Sequence, residues 1–201
     1  GMVTLGGKAM SKSLGNVIAP ITIVEKYSVD TLRIFILFMA SPEKDLEWND
    51  ESVEGTFRFL KKVISLTEKT KPVDNAKDSY VRSRLHSAIK SVTASNEILQ
   101  FSASISSLIE LTNLLHKYKE KTSQKTLKEA LESLALMLAP FAPHICEELW
   151  EKLGKKPFIA TAAWPKPNEK LIDKRIESLE TISANAISDI QEVIKLVNIK
   201  P

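Results

Sequence analysis

Ten consecutive residues near the start of the chain, Gly7-Lys8-Ala9-Met10-Ser11-Lys12-Ser13-Leu14-Gly15-Asn16, are the one stretch whose residue types point to chemistry. A lysine between two serines, flanked by glycines, offers a mobile cation, two hydroxyls and backbone N–H groups that a ligand can approach. A polyphosphate is recognised by that set of groups. On composition alone the run reads more readily as a solvent-exposed Ser/Lys loop. A P-loop is excluded, because no Gly-x-x-x-x-Gly-Lys-Ser/Thr is present and no parallel-sheet pattern surrounds the run. Gly6, Gly7 and Gly15 fall within ten residues, so residues 2–19 are expected to be a mobile loop. Gly1-Met2 reads as an added residue ahead of a start, and no apolar leader follows it.

The remainder of the chain must position this loop. With 201 residues and 43% hydrophobic content it can bury one sizeable core or two small ones. A net charge of +3 suits a polyanionic partner but is far below that of a dedicated nucleic-acid arm. The single Cys146 excludes an intramolecular disulfide and a cysteine-based zinc cluster, and fits a reducing compartment. The longest apolar run, Ile34 to Ala40, is too short to cross a bilayer. Six glycines argue against a Gly-rich nucleotide-binding domain.

From Pro20 onward the periodicity is helical. Pro20 suits the first turn of a short helix over Ile21 to Tyr27, and Ser28 is an N-cap for Val29 to Ala40, which Ser41-Pro42 stops. Asn49 caps a helix whose apolar positions are Val53, Phe57, Leu60 and Ile64; Lys71-Pro72 breaks it. Further stripes are Val81, Leu85, Ile89 and Val92; then Ile105, Leu108, Ile109, Thr112 and Leu115; then Leu127, Leu131, Leu134 and Leu138. Pro140 ends the last of these. Pro143 restarts a short helix with Ile145, Leu149 and Leu153 inward, and Gly154 stops it. After an irregular segment, 155–170, a final helix carries Ile176, Leu179, Ile182, Ala186, Ile190, Val193 and Val197 on one side. Each stripe needs a neighbour, and an antiparallel bundle supplies one.

Beyond the loop, single residues read more plainly as structure. His144 beside Glu147 and Glu148 lacks the second ligand a metal site needs and fits a first-turn role. Cys146 reads as a small buried hydrophobe, and Trp48, Trp150 and Trp164 as packing anchors. Lysines crowd two connections: Lys117, Lys119, Lys121, Lys125 and Lys128 at one, and Lys61, Lys62, Lys69 and Lys71 at the other. A solvated surface and a phosphate-binding surface both account for them.

Met10-Ser11-Lys12-Ser13-Leu14-Gly15-Asn16, followed by Tyr27-x-x-Asp30-x-Leu32-Arg33, resembles the signature loop of class I aminoacyl-tRNA synthetases. Glu43-Lys44-Asp45-Leu46-Glu47-Trp48, with Val53-Glu54-Gly55 and Phe59-Leu60, resembles the leucyl-tRNA synthetase family within that class. Leu138-Ala139-Pro140-Phe141-Ala142-Pro143-His144, Glu147-Glu148-Leu149-Trp150 and Ala163-Trp164-Pro165 resemble the anticodon-binding domain shared by the leucyl, isoleucyl, valyl and methionyl enzymes. The motifs stand in the family order over residues 5–165.

The resemblance implies an all-α fold: an antiparallel helical bundle preceded by a catalytic-domain loop and short stem-contact helices. It divides the chain into the end of a catalytic domain with an ATP-closing loop (1–16), linker helices (17–48), an anticodon-binding-type domain (49–170) and a terminal helix (171–201) leading to a C-terminal region. It implies that leucine, ATP and tRNA(Leu) are joined to give leucyl-tRNA, AMP and pyrophosphate in a cytoplasmic enzyme whose other domains lie outside this segment. The segment alone would not be active. Lys12 would be the catalytic cation, with Met10, Ser11, Ser13 and Gly15 helping to bind ATP, magnesium accompanying the ATP, and no metal site in this segment. Lys117, Lys121, Lys125, Arg82 and Arg84, with Lys90, would contact tRNA phosphates. The family's first loop lysine falls here on Ala9, with Lys8 one residue earlier, and its His-x-Gly-His element is absent, since His86, His116 and His144 are isolated. Alternatives are the same segment of a valyl, isoleucyl or methionyl enzyme, or a noncatalytic tRNA-binding or assembly protein derived from one.

Overall fold

The computed structural model describes residues 1–40, 43–68 and 72–196. The Ser41-Pro42 stop, Lys69, Lys71 and Val197 lie outside the described residues.

The first residues are not a mobile loop. Val3–Leu5 (β1) and Lys8–Ala9 (β2) pair antiparallel, and Leu46–Glu47 (β3) joins the other edge of β1 in parallel. Gly6 and Gly7 form the two-residue turn between β1 and β2 with φ of +60° and +72°, which is what a hairpin turn matching the strand twist requires. The register sets Thr4 opposite Ala9 and Leu5 opposite Lys8. A Gly-Gly pair between two short runs is a hairpin signal. It goes unread because strands of three and two residues show no alternation.

The helices follow the local signals closely. Pro20 opens α1 (Pro20–Lys26) at its first position, and the Ser28 hydroxyl accepts the Thr31 N–H at the start of α2 (Val29–Met39). The Asn49 side chain accepts the Ser52 N–H and starts α3 (Asp50–Ser65). On α3 the buried face is Val53, Thr56, Phe59, Leu60 and Val63. Phe57 and Ile64, expected inside, are only half-buried, because the helix is covered along a line one residue round from the one the largest side chains mark.

The bundle proper is α4 (Asp78–Glu97), α5 (Phe101–Tyr118), α6 (Gln124–Leu138) and α7 (Pro143–Lys152). The stripes of α4 and α6 are buried throughout, and on α5 only Ile109 is half-buried. Pro143 occupies the first turn of α7. At its other end Gly154 adopts φ +75° while the Gly154 N–H donates to Glu151 O and the Lys155 N–H to Trp150 O, the paired bonds of a Schellman stop. Segment 155–170 contains two 3-10 turns, Ile159–Thr161 and Glu169–Leu171.

The last helix, α8 (Lys174–Leu196), departs from expectation. It is amphipathic, but Leu179, Ile182, Ala186, Ile190 and Val193 are exposed and Ile176 is half-buried. Over its first turns the polar side faces the bundle instead, and from Asn185 on every described side chain is exposed. Glu177 accepts from the Ser83 hydroxyl at 2.7 Å, the Ser87 hydroxyl at 3.0 Å and Lys174 Nζ at 2.8 Å. Glu180 accepts from Lys77 Nζ and the Tyr118 hydroxyl, each at 2.6 Å. The charge-assisted bonds from Ser83 and Ser87 on α4, Tyr118 on α5 and Lys77 just ahead of α4 set which way these first turns face.

Two clusters make up the core. A small one, Ile23, Phe35, Leu46 and Val53, lies under the sheet; the large one fills the bundle. Adjacent residues of α2 serve both, Phe35 the small and Ile34 the large, so α2 and α3 join the loop-bearing end rigidly to the bundle. Trp48 packs edge-on against Phe35 at 5.0 Å, Trp150 is buried, and Trp164 donates to the Thr93 hydroxyl at 2.8 Å. All three are packing anchors, and Cys146 is fully buried, its thiol pushed well up by that burial.

Candidate functional site

The hairpin delivers the chain from β2 into a single 3-10 turn, Lys12–Leu14. Ser11 caps it, its hydroxyl accepting the Leu14 N–H at 3.3 Å, and Gly15 closes it in the left-handed region with φ +64°, its N–H donating to Lys12 O at 3.2 Å. That conformation is costly for any residue with a Cβ. The two serine hydroxyls lie 3.1 Å apart. Met10 is half-buried, and its N–H donates to Val3 O at 3.0 Å, tying the loop to β1. Lys12 is exposed. Among the described residues no carboxylate lies within ion-pairing distance of it. Lys8 and Ala9 are successive residues of β2, so their side chains point to opposite faces.

Glu47 on β3 braces the hairpin from outside. Its carboxylate accepts from the Thr4 hydroxyl and, at 3.3 Å, from the Gly7 N–H. The Thr4 bond first, then the Gly7 and Gly6 amides, hold the Glu47 carboxyl below its ordinary value against a desolvation effect. Asp45 accepts from the Met2 N–H at 2.7 Å. The acidic stretch 43–48 is thus largely the loop's scaffold.

The loop itself, Met10 to Asn16, carries ammonium, hydroxyl and amide groups but no carboxylate. Among the described residues no group of three or more His, Cys, Asp or Glu could hold a metal ion. These residues fit an anion and do not fit magnesium.

At the far end of α3, Lys61 and Lys62 of one lysine cluster come beside the other cluster. His116 Nε2 lies 2.8 Å from Lys62 O and 3.2 Å from the Ser65 hydroxyl, and Lys62 Nζ donates to Asn113 Oδ1 at 2.6 Å. These bonds set the C-terminal turns of α3 and α5 side by side. The start of α4 is tied to the same end: Lys77 N–H donates to Lys121 O at 2.9 Å, and Asp78 accepts from the Ser123 N–H at 2.7 Å and the Thr126 hydroxyl at 2.8 Å. Lys61, Lys117, Lys121, Lys125 and Lys128 are exposed there, with Lys62 and Lys119 half-exposed. Lys117 Nζ lies 5.0 Å over the Tyr118 ring. With 16 residues in α3, this basic end stands roughly 24 Å from the sheet end. Arg82, Arg84 and Lys90 lie elsewhere along α4 and are paired with carboxylates of the same chain: Arg82 with Glu129 at 3.3 Å, Arg84 with Glu110 at 3.4 Å, Lys90 with Glu169 at 2.6 Å.

A further pair of residues, Asp30 and Arg33, joins α2 to the connection between α6 and α7. Asp30 is 1% exposed; its Oδ2 accepts the Ile145 N–H at 2.8 Å and its Oδ1 lies 3.0 Å from His144 Nδ1. Arg33 Nη2 donates to Pro140 O at 2.9 Å and Nε to Phe141 O at 3.2 Å. One face of α2 therefore offers an anion to the start of α7 and a cation to the carbonyls after α6, the complement of both helix dipoles. His144 has the expected first-turn role, with Asp30 as its unforeseen partner.

Residues 78–201 match the family described as the anticodon-binding domain of tRNA ligase. The chain belongs to that family. Residues 2–49, which include the loop, match the class I tRNA synthetases for I, L, M and V. A leucine--tRNA ligase of Petrotoga mobilis is 44% identical over 91% of this chain and 24% of its own length. One of Thermotoga petrophila is 40% identical over 90% of this chain, again 24% of its own length. A chain in the crystal structure of the ternary complex of Agrobacterium radiobacter K84 agnB2 LeuRS-tRNA-LeuAMS superposes with a TM-score of 0.79 at 34% identity, covering 86% of this chain and 24% of that one. This anticodon-binding-family chain thus spans about a quarter of the length of the curated relatives it matches. Among the described residues no helix is long and apolar enough to cross a membrane.

Proposed function

We propose that this chain is the part of a leucine–tRNA ligase that closes over ATP with residues 1–16 and holds tRNA(Leu) with the bundle. In the activation step the leucine carboxylate attacks the α-phosphate of ATP. The bond between that phosphorus and the bridging oxygen breaks, giving leucyl-adenylate and pyrophosphate, and the leucyl group then passes to the tRNA 3′ end. Negative charge grows on the departing pyrophosphate, and a cation near it stabilises the transition state electrostatically. Lys12 is that cation, with the Ser11 and Ser13 hydroxyls beside it. Supporting the reading most directly is the pairing of an exposed, carboxylate-free Lys12 on an ordered 3-10 turn with similarity to leucine–tRNA ligases at 44% identity. Those relatives' names, with the Glu43 to Trp48 stretch, favour leucine over valine, isoleucine or methionine.

The tRNA reading rests on the basic end. Lys117, Lys121 and Lys125 contact phosphates and position the tRNA without reading bases; Arg82 and Arg84 balance Glu129 and Glu110 instead. The deciding experiment is Lys12→Ala in the intact ligase. Leucine-dependent ATP–pyrophosphate exchange falls by ~100-fold or more, with leucine binding little changed. An unaltered exchange rate removes Lys12 from the chemistry and the loop from the proposal.

A further inference from the structure

The loop's shape depends on a residue that no charge or hydroxyl argument singles out. Asn16 sits just beyond the left-handed Gly15, half-buried, with its carboxamide turned back across the loop. Its Nδ2 donates to Ala9 O at 3.2 Å and its Oδ1 accepts the Ser11 N–H at 2.9 Å. One side chain thus bonds the peptide groups on either side of Met10, the residue tied to β1 through its own N–H. On the other side Lys12 O accepts the Gly15 N–H. The peptide entering Ser11 is held by Asn16, the one entering Lys12 by the Leu14 N–H on Ser11 O at 3.2 Å, and the one leaving Lys12 by Gly15, so the Lys12 Cα–Cβ direction is set before any ligand arrives.

We infer that Asn16 is a positioning residue for Lys12: its carboxamide locks the loop so that the ammonium is presented to the pyrophosphate group without an ordering cost at the transition state. This inference rests on the function proposed above. Both halves of the amide are needed. An alanine makes neither bond. An aspartate keeps the acceptor for Ser11 N–H but sets a carboxylate oxygen against the Ala9 carbonyl, and adds negative charge where phosphates must approach. A small displacement of a catalytic group far outweighs its effect on folding, since misplacement by about 1 Å can cost ~100-fold in rate.

The test is a double-mutant cycle in the intact ligase, read by leucine-dependent ATP–pyrophosphate exchange. Asn16→Ala lowers kcat by roughly 10- to 100-fold with the KM for leucine unchanged, and Asn16→Asp lowers it at least as far. In a Lys12→Ala background the same Asn16→Ala change costs less than about twofold, because a residue acting through Lys12 has nothing left to position. A merely structural residue gives losses that multiply. The nearly isosteric Asn16→Asp keeps the cycle measurable should Asn16→Ala fail to fold. Single variants within twofold of the unaltered enzyme, or losses that multiply with that of Lys12→Ala, overturn the inference while leaving Lys12 in place. A silent Lys12→Ala overturns the function proposal and the inference with it.

Discussion

Removing the Asp30 carboxylate should be the most damaging single change at the junction between the loop-bearing end and the bundle. The α7 helix begins after Ala142, which has no side chain able to cap it, so its first N–H groups depend on a carboxylate reaching in from α2. Asp30→Ala deletes the bond to Ile145 N–H, worth about 1 kcal/mol and up to about 2 for a strong N-cap. It also deletes a buried charge at the positive end of the helix, worth up to about 2 kcal/mol in a partly buried geometry. The total is roughly 2–4 kcal/mol. Asp30→Asn keeps one acceptor for Ile145 N–H and should lose only about 1–2 kcal/mol. His144→Ala should cost about 0.5 kcal/mol or less, because that side chain is 69% exposed and adds only the outer contact. Urea unfolding of the three variants, at constant slope, measures the differences. A loss under about 0.5 kcal/mol for Asp30→Ala, or equal losses for Asp30→Asn and His144→Ala, would show that α7 is started by packing alone.

His86 should give the fold a pH dependence near neutrality. It is buried, its Nδ1 accepts the Asn168 N–H at 3.2 Å, and its Nε2 lies 3.7 Å from Glu129 Oε1 without a hydrogen bond. Burial, assisted by Arg82 and opposed by Glu129, holds its pKa below the ordinary 6.5. The unfolded chain therefore binds the extra proton first, and stability is full above about 6.5 and declines as pH falls below it. Unfolding free energies between pH 7.5 and 5.5 should show this slope, and His86→Gln should flatten it; an unchanged slope assigns it elsewhere. Reversing Lys117, Lys121 and Lys125 to Glu in the intact ligase should raise the KM for tRNA, most at low salt, and leave that for ATP unchanged. If neither constant moves, the basic end only confers solubility. Ile182→Lys and Ile190→Lys on α8 should each change stability by less than about 0.5 kcal/mol, as both side chains are more than half exposed. A loss of ~2 kcal/mol or more in thermal unfolding would place them in a core.

The chain's local punctuation was readable residue by residue. Ser28, Asn49, Pro20, Pro143 and Gly154 each act on groups within five positions of themselves, so their effect needs no knowledge of the rest of the fold. The 3.6-residue stripes of α4 and α6 were legible for the same reason. Long motifs such as Met10 to Asn16 identified the loop and the family, but not the loop's internal bonds. What Asn16 does depends on the backbone path between Ala9 and Ser11, which residue types do not state.

Relations across the chain were decided by tertiary structure alone. The pairing of β1 with β3 joins residues some forty positions apart, and Asp30 caps a helix 115 residues further on; neither leaves a periodic trace. Lys61 and Lys62 look separate from the lysines after α5 in sequence and come beside them only because α3 and α5 end side by side. The clearest case is α8, whose amphipathic pattern was right and whose facing was not. Periodicity says that a helix has an apolar side. Over the first turns of α8, which side turns inward is set by the partners waiting on its neighbours, here the hydroxyls of Ser83, Ser87 and Tyr118 and the ammonium of Lys77. Hydrogen bonds are directional and need both groups placed, whereas apolar burial is not and needs only a surface.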